Sequence, residues 1–287
     1  MFAKKLLIVG AAAATLSIGL VAPAFAATST AGTSYQATLS PVALNTPAGA
    51  ASGQVMITIK GDQATVTETV KGLATKLPTD AATLDAIGVP QAFAGAAFPH
   101  VQHIHINGND TCPVASSDTN KDGVISTVEG QPAYGKIGTT LSTKGATDGS
   151  TALDVTLAPS GGSYTYNRTF TINAATLSAI QANKAVIVVH GLNPANAPKA
   201  SLSTPNSLNL TLPGASKKVA VIATAPALCG ALKASQMSAM PVGAANTGGG
   251  SMAASGVNQT ELGLGALALL AAGGMLFIGF RRRSTQN

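Results

Sequence analysis

Apolar and polar positions alternate through much of the middle of this chain. Between residues 52 and 70, Val55, Ile57 and Ile59 share one face. Gly61-Asp62 then turns the chain, and Val66 and Val70 face together opposite Thr65, Thr67 and Thr69. A period of two on both sides of a glycine turn predicts a β-hairpin. The same signal predicts strands at 35–39, 101–106, 151–157, 164–172, 185–190 and 219–223, with Gly161-Gly162 as a hairpin turn between two of them. Tyr164, Tyr166 and Arg168 alternate along one of these strands and read as an exposed sheet face. Helical signals are confined to 79–87 and 174–182, each long enough for about two turns. Many strands and two short helices predict an all-β domain, an antiparallel Greek-key sandwich or barrel. The chain contains no internal sequence repeat.

The two ends follow different rules. Residues 1–26 have a charged start (Lys4, Lys5), an apolar stretch and Ala24-Phe25-Ala26, which together predict a secretory signal peptide. Residues 262–280 are nineteen uncharged, mostly apolar positions followed by Arg281-Arg282-Arg283. That length predicts a transmembrane helix, and the arginines a short cytoplasmic tail over 281–287. Residues 234–261, rich in Ala, Gly, Ser and Met, read as a flexible linker. The exported domain is then 27–233. Linker, helix and arginines together resemble the sorting tails of Gram-positive surface proteins. However, Pro241 lies six residues before Thr247, so the Leu-Pro-x-Thr-Gly pentapeptide is missing. Single-pass anchoring in the cell membrane, with the domain outside, is the expectation.

These ends also account for the charge. Five of the seventeen basic residues lie in them, leaving twelve basic and ten acidic residues over 27–260, a net of +2. The high isoelectric point therefore gives no argument for a nucleic-acid partner.

Tryptophan is absent and aromatics are only 4% of the chain, so the core must rest on Val, Ile, Leu and Ala. Such a core gains from a covalent tie. Cys112 and Cys229 are the only cysteines, and export would place them where disulfides form. A bridge closing more than 100 residues is worth about 4–5 kcal/mol in the chain-entropy picture.

Residues 118–129 match a twelve-residue calcium loop. Side-chain oxygens stand at Asp118, Asn120, Asp122, Ser126 and Glu129, Gly123 takes the sharp turn, and Val124 offers its carbonyl. Pro113 before the loop and Gly130-Gln131-Pro132 after it forbid long flanking helices. The loop therefore reads as an insertion in another fold, where Ca2+ would pin a long connection.

The chain has four histidines: His100, His103, His105 and His190. His103 and His105 have the same parity on a strand and project together. His190 ends another strand, and His100 has the opposite parity. Imidazole suits copper and zinc, and a His-x-His pair with one distant histidine is a recurring arrangement for such ions.

His103-Ile104-His105, then Cys112, then Val188-Val189-His190-Gly191, then Ala227-Leu228-Cys229-Gly230 resembles the Cu,Zn superoxide dismutase order. The resemblance extends to the chordin-type (CHRD) domains of bacterial secreted proteins and covers roughly 54–232. It implies a dismutase-like β-fold with His103, His105 and His190 as copper ligands and a Cys112–Cys229 bridge. The departures are specific. No counterpart follows His105 for the family's metal-bridging histidine, the zinc-binding stretch is replaced by the calcium-type loop, and Pro226 stands where the family's anion-guiding arginine would be. Lys199, Lys217 or Lys218 would have to supply that charge in space.

Three readings follow. The first is a cell-surface metal-binding module with a binding or structural role, holding calcium in the loop and copper or zinc at the histidines. The second is an extracellular copper-dependent oxidoreductase acting on superoxide. The third is an adhesin for a protein or cell-wall ligand, which no residue identifies. Serine-hydrolase elbows, zinc-hydrolase helices and phosphate-binding glycine loops are missing from the sequence.

Overall fold

Among the described residues nine antiparallel strands form one curled sheet, a half-barrel. In the computed structural model, residues 32–45 and 51–235 are described. The expected signal peptide, most of the linker, the apolar run 262–280 and the arginine cluster lie outside them. Among the described residues no helix is long and apolar enough to cross a membrane.

The strands are β1 (Thr33–Pro41), β2 (Ser52–Lys60), β3 (Gln63–Lys71), β4 (Gln102–Ile106), β5 (Lys136–Thr140), β6 (Ser163–Thr171), β7 (Val186–His190), β8 (Pro226–Ala231) and β9 (Lys233–Ala234). They lie in the order β5-β4-β7-β8-β1-β2-β3-β6, with β9 added to β1. The expected hairpin is present: β2 and β3 pair from Ser52↔Lys71 to Lys60↔Gln63 across a two-residue turn. Strand β1 is where the sheet bends. Its Thr33–Leu39 stretch pairs with β2, while Ser40 and Pro41 pair with β8.

The edge strands β5 and β6 do not pair. Instead, side chains bridge the gap: Tyr166 Oη donates to Ser142 O (3.1 Å), and Arg168 donates to Ser142 O, Ser142 Oγ and Gly145 O. Tyr164 Oη donates to Gln102 Oε1 at 2.9 Å. This corrects the expectation of an exposed face. Tyr164, Tyr166 and Arg168 point inward and close the seam, because β6 continues the inward row that holds Phe170. Burial pushes the Tyr166 hydroxyl up to about 12.

Leu39, Ile57, Val66, Ile104, Ile187 and Leu228 are fully buried inside the curl. Each such side chain contributes about 1.5–3 kcal/mol of transfer free energy. Strand β7 is covered on both faces. Ile187 and Val189 join the main core, while Val186 and Val188 join a second cluster with Val42, Ile125, Tyr134 and Cys229. The disulfide Cys112–Cys229, with Cα atoms 5.7 Å apart, ties the long connection between β4 and β5 to β8.

Four short helices occur, two more than expected: α1 (Ala81–Ala86), α2 (Thr127–Tyr134), α3 (Ala174–Gln181) and α4 (Val221–Thr224). Helices α1 and α3 fall where composition placed them, capped by Asp80 and Asn173. Two expected strands are not strands. Residues 151–157 form tight turns, because Asp148 and Asp154 accept from Ser150 N and Thr156 N and draw the backbone into local bonds. The apolar run 219–223 enters α4: its residues are buried by loops around them, so burial carries no strand period. The Gly161-Gly162 segment accordingly joins no hairpin, and β6 pairs with β3.

Candidate metal centre

Parity sends the side chains of β4 to two different places. Ile104 and Ile106 face the main core, and His103 and His105 face the outer side of the sheet. On β7 His190 has the parity of Val186 and Val188 and faces the same way. The register places His103 opposite Val188, and His190 N donates to Val101 O at 2.9 Å, so the third ring comes in beside the first two. Irregularities of pairing occur at Ile104/His105 against β5 and at Val189/His190 against β8. Bulges of this kind re-aim side chains next to functional sites.

The three rings converge. Centroids lie 5.4 Å apart for His103 and His105, 5.3 Å for His103 and His190, and 6.0 Å for His105 and His190. One nitrogen from each lies within 4.8 Å of the others. Among the described residues this is the one group of three or more His, Cys, Asp or Glu with ligand spacing.

Each ring spends its other nitrogen on a backbone carbonyl. His103 Nε2 donates to Ala152 O (2.9 Å), His105 Nδ1 to Gly135 O (2.9 Å), and His190 Nδ1 to Thr224 O (2.7 Å). A carbonyl accepts only, so these bonds fix the tautomers. They leave His103 Nδ1, His105 Nε2 and His190 Nε2 as bare acceptors, buried and with no hydrogen-bond partner. Three such atoms cost about 1–3 kcal/mol each if nothing occupies them. A metal ion removes that cost, and a carbonyl-oriented imidazole is the usual way to hold one.

Electrostatics point the same way. Burial, aided by the neighbouring rings, pushes His103 well below the usual histidine range and lowers His105 to about 3. Burial lowers His190 to about 4, against the pull of its bond to Thr224. The rings are therefore neutral at pH 7, with lone pairs free and few protons to displace. These residues could hold a metal ion through three imidazole nitrogens, and among the described residues no further His, Cys, Asp or Glu joins them at ligand spacing.

His100 does not join them. It is buried between Phe98 and Tyr164, with Nδ1 at 3.0 Å from His190 O and Nε2 at 3.0 Å from Ala74 O. It supports the strand that carries His190.

The inserted segment forms one wall of the site. The loop oxygens are turned onto its own backbone: Asp118 accepts from Asp122 N and Gly123 N, Asn120 Oδ1 from Asp122 N, and Asp122 Oδ1 from Val124 N. Glu129 accepts from Thr119, Asn120 and Ser126. Partial burial opposes its ionisation, but these bonds outweigh it and hold the carboxyl below its usual range. Asp118, Asp122 and Glu129 do not gather at ligand spacing. Ser126 caps α2 in a reciprocal box with Glu129, and Asn45 grips Ile125 by both its main-chain groups at 2.7 Å. The entering flank is a short turn, and the exiting helix has eight residues with Pro132 inside it, so neither flank is long.

Tyr134 closes α2 and meets His105 edge-on at 4.6 Å, while its hydroxyl donates to Thr127 O. A side chain on Gly130 would strike this ring at 2.6 Å, so glycine is needed one helical turn earlier. Gly135, at φ 93°, ends the helix and offers its carbonyl to His105; a Cβ there would lie 2.1 Å from Ile106 O. Tyr134 and the orienting carbonyls of Gly135, Ala152 and Thr224 have no signature in sequence.

His103, His105 and His190 line a cavity of about 420 Å³. Its walls include Val89, Phe98, Val101, Ile137, Val155 and Leu210. Lys199, Lys217 and Lys218 do not line it: Lys217 pairs with Asp85 (3.0 Å) and Lys218 donates to Asn209 Oδ1. Compared with known proteins, the chain is matched by no family model and has no significant match among curated sequences.

Proposed function

We propose that this chain is an exported, membrane-anchored β domain that binds one transition-metal ion, copper or zinc, as a cell-surface module with a binding or structural role. The observation that carries this reading is the trio of bare acceptors, His103 Nδ1, His105 Nε2 and His190 Nε2, buried at ligand spacing. A buried neutral cluster without partners is destabilising unless an ion uses it. The bound metal would supply Lewis-acid polarisation, or electron transfer in the case of copper. The chain's own groups do the rest. The carbonyls of Ala152, Gly135 and Thr224 fix tautomer and direction, Tyr134 holds His105 in place, and the apolar walls limit access of water. Signal peptide, linker and anchor belong to the same reading, with a surface of Gram-positive type.

The resemblance to Cu,Zn superoxide dismutase and CHRD domains supports the Greek-key form of this proposal. Connections from β3 to β4, β5 to β6 and β6 to β7 skip spatial neighbours, as in Greek-key sheets. The same resemblance favours a second reading, a copper-dependent dismutase, whose support is the three-histidine set with an open position. Against it stands the cavity, into which no Lys or Arg projects to draw an anion. Calcium in the 118–129 loop is a further part of the proposal, supported by oxygens already directed into the loop.

Elemental analysis of the full chain grown with copper, zinc and calcium tests the proposal. One equivalent of copper or zinc, lost in His103→Ala while the disulfide and secondary structure persist, is the expected result. Metal content equal in wild type and variant would reject it.

A further inference from the structure

The histidines line a cavity whose other walls differ from them in chemistry. Among the described residues no Asp, Glu, Lys or Arg lines it, and apart from the histidines its polar lining consists of Thr, Ser, Gln and Tyr groups. At about 420 Å³ it has the size of a small-molecule site. The exposed apolar residues add an independent sign. Phe93, Leu153 and Leu208 are 40%, 41% and 37% exposed, and all three also line the cavity. Large apolar side chains held partly in water along one cavity mark a binding surface more often than chance exposure does.

We propose that the cavity receives a small molecule with an uncharged, apolar body that passes Phe93, Leu153 and Leu208 and presents one donor atom to the metal held by His103, His105 and His190. This rests on the metal reading above and names the class of ligand that the site takes. The charge of the metal favours a nitrogen or oxygen donor at the inner end. The walls cannot solvate a charge anywhere else on the molecule, because they carry none of their own. A lipid chain or an apolar segment of this protein would fill the walls and leave the metal's open position without a donor. A small inorganic anion would satisfy the metal and leave the walls unused.

The test uses the full chain in lipid nanodiscs, loaded with Co(II), whose visible spectrum reports a fourth ligand. The probes are pyridine, 4-phenylpyridine and 4-(4-carboxyphenyl)pyridine. Burying the added phenyl ring should make 4-phenylpyridine bind at least about tenfold tighter than pyridine. The carboxylate should cancel that gain. In Leu153→Ser/Leu208→Ser the gain should shrink several-fold while cobalt uptake and pyridine affinity stay unchanged. Normal cobalt uptake with equal affinities for pyridine and 4-phenylpyridine would overturn this inference alone. Failure to take up cobalt would overturn the metal reading and this inference with it. Binding of 4-phenylpyridine only after proteolytic removal of the chain beyond residue 235 would make the protein's own apolar run the occupant, and would also overturn it.

Discussion

Thr127 and His190 share one acceptor: Thr224 O receives the Thr127 hydroxyl at 2.6 Å and His190 Nδ1 at 2.7 Å. Thr127 is the first residue of α2, directly after the end of the loop's turn. Gly135, at the other end of α2, orients His105. The connection between β4 and β5 thus reaches two of the three histidines, His105 directly through the Gly135 carbonyl and His190 indirectly through the Thr224 carbonyl that Thr127 shares. Thr127→Val keeps the shape and deletes the donor. A hydrogen bond of about 0.5–1.5 kcal/mol lets His190 orientation weaken, so metal affinity should fall by a factor of roughly 2–10. Titration calorimetry of the two proteins checks it; equal affinities would remove the link.

Calcium should act through the same helix. Glu129→Gln keeps a cap acceptor for Ser126 N and loses the charge that a divalent cation needs. Wild type should gain thermal stability in millimolar calcium, with a dissociation constant on the order of 10⁻⁴–10⁻³ M. The variant should melt somewhat below wild type in chelator, because one of the two accepting oxygens becomes a donor, and gain little from calcium. A calcium gain of the same size in both proteins would assign the effect elsewhere.

Acid should weaken the metal-free fold. His103, His105 and His190 have folded values below the ordinary 6.5, so the unfolded chain binds more protons between those limits. Their contribution is present above pH 6.5 and is lost as pH falls from there toward about 3–4. Denaturant titrations from pH 7 to 4 should show this slope, and it should shrink in His105→Gln/His190→Gln.

Glu68 should act in the opposite sense. Its carboxyl is 0% exposed, on the inward row of β3 with Ala64, Val66 and Val70, and neither oxygen has a hydrogen-bond partner. Burial raises it to about 8, although Gln102 nearby favours ionisation. The folded state therefore keeps the proton while the unfolded state releases it above 4.5. Stability from this group is complete below pH 4.5 and declines as pH rises to about 8. Glu68→Gln should remove the decline and stabilise the protein at pH 8 by a few kcal/mol. A variant no more stable than wild type at that pH would mean that the carboxyl is solvated.

The sequence revealed the site better than it revealed its support. Alternation located β1, β2, β3 and β6, which bury one face, and a short run of β-branched residues located β7, which is buried on both. It missed β8, whose Pro226, Ala227 and Gly230 are poor strand formers fixed by neighbours on both sides. It missed β5, which Gly138 interrupts and which gains its place from β4. His103 and His105 were legible from parity, and the disulfide from there being two cysteines. That His190 would reach them depended on the pairing of β4 with β7, distant in the chain, and the orienting carbonyls belong to no residue type at all. Glu68 was hidden because an acidic residue at an inward position looks like a break in the pattern.

X-ray absorption at the copper or zinc edge of the full chain bears most directly on the three-imidazole site. The account predicts three imidazole nitrogens, for zinc at about 2.0–2.1 Å, plus one exchangeable light-atom ligand. A shell dominated by sulfur or carboxylate, or one unchanged in His103→Ala, would contradict it.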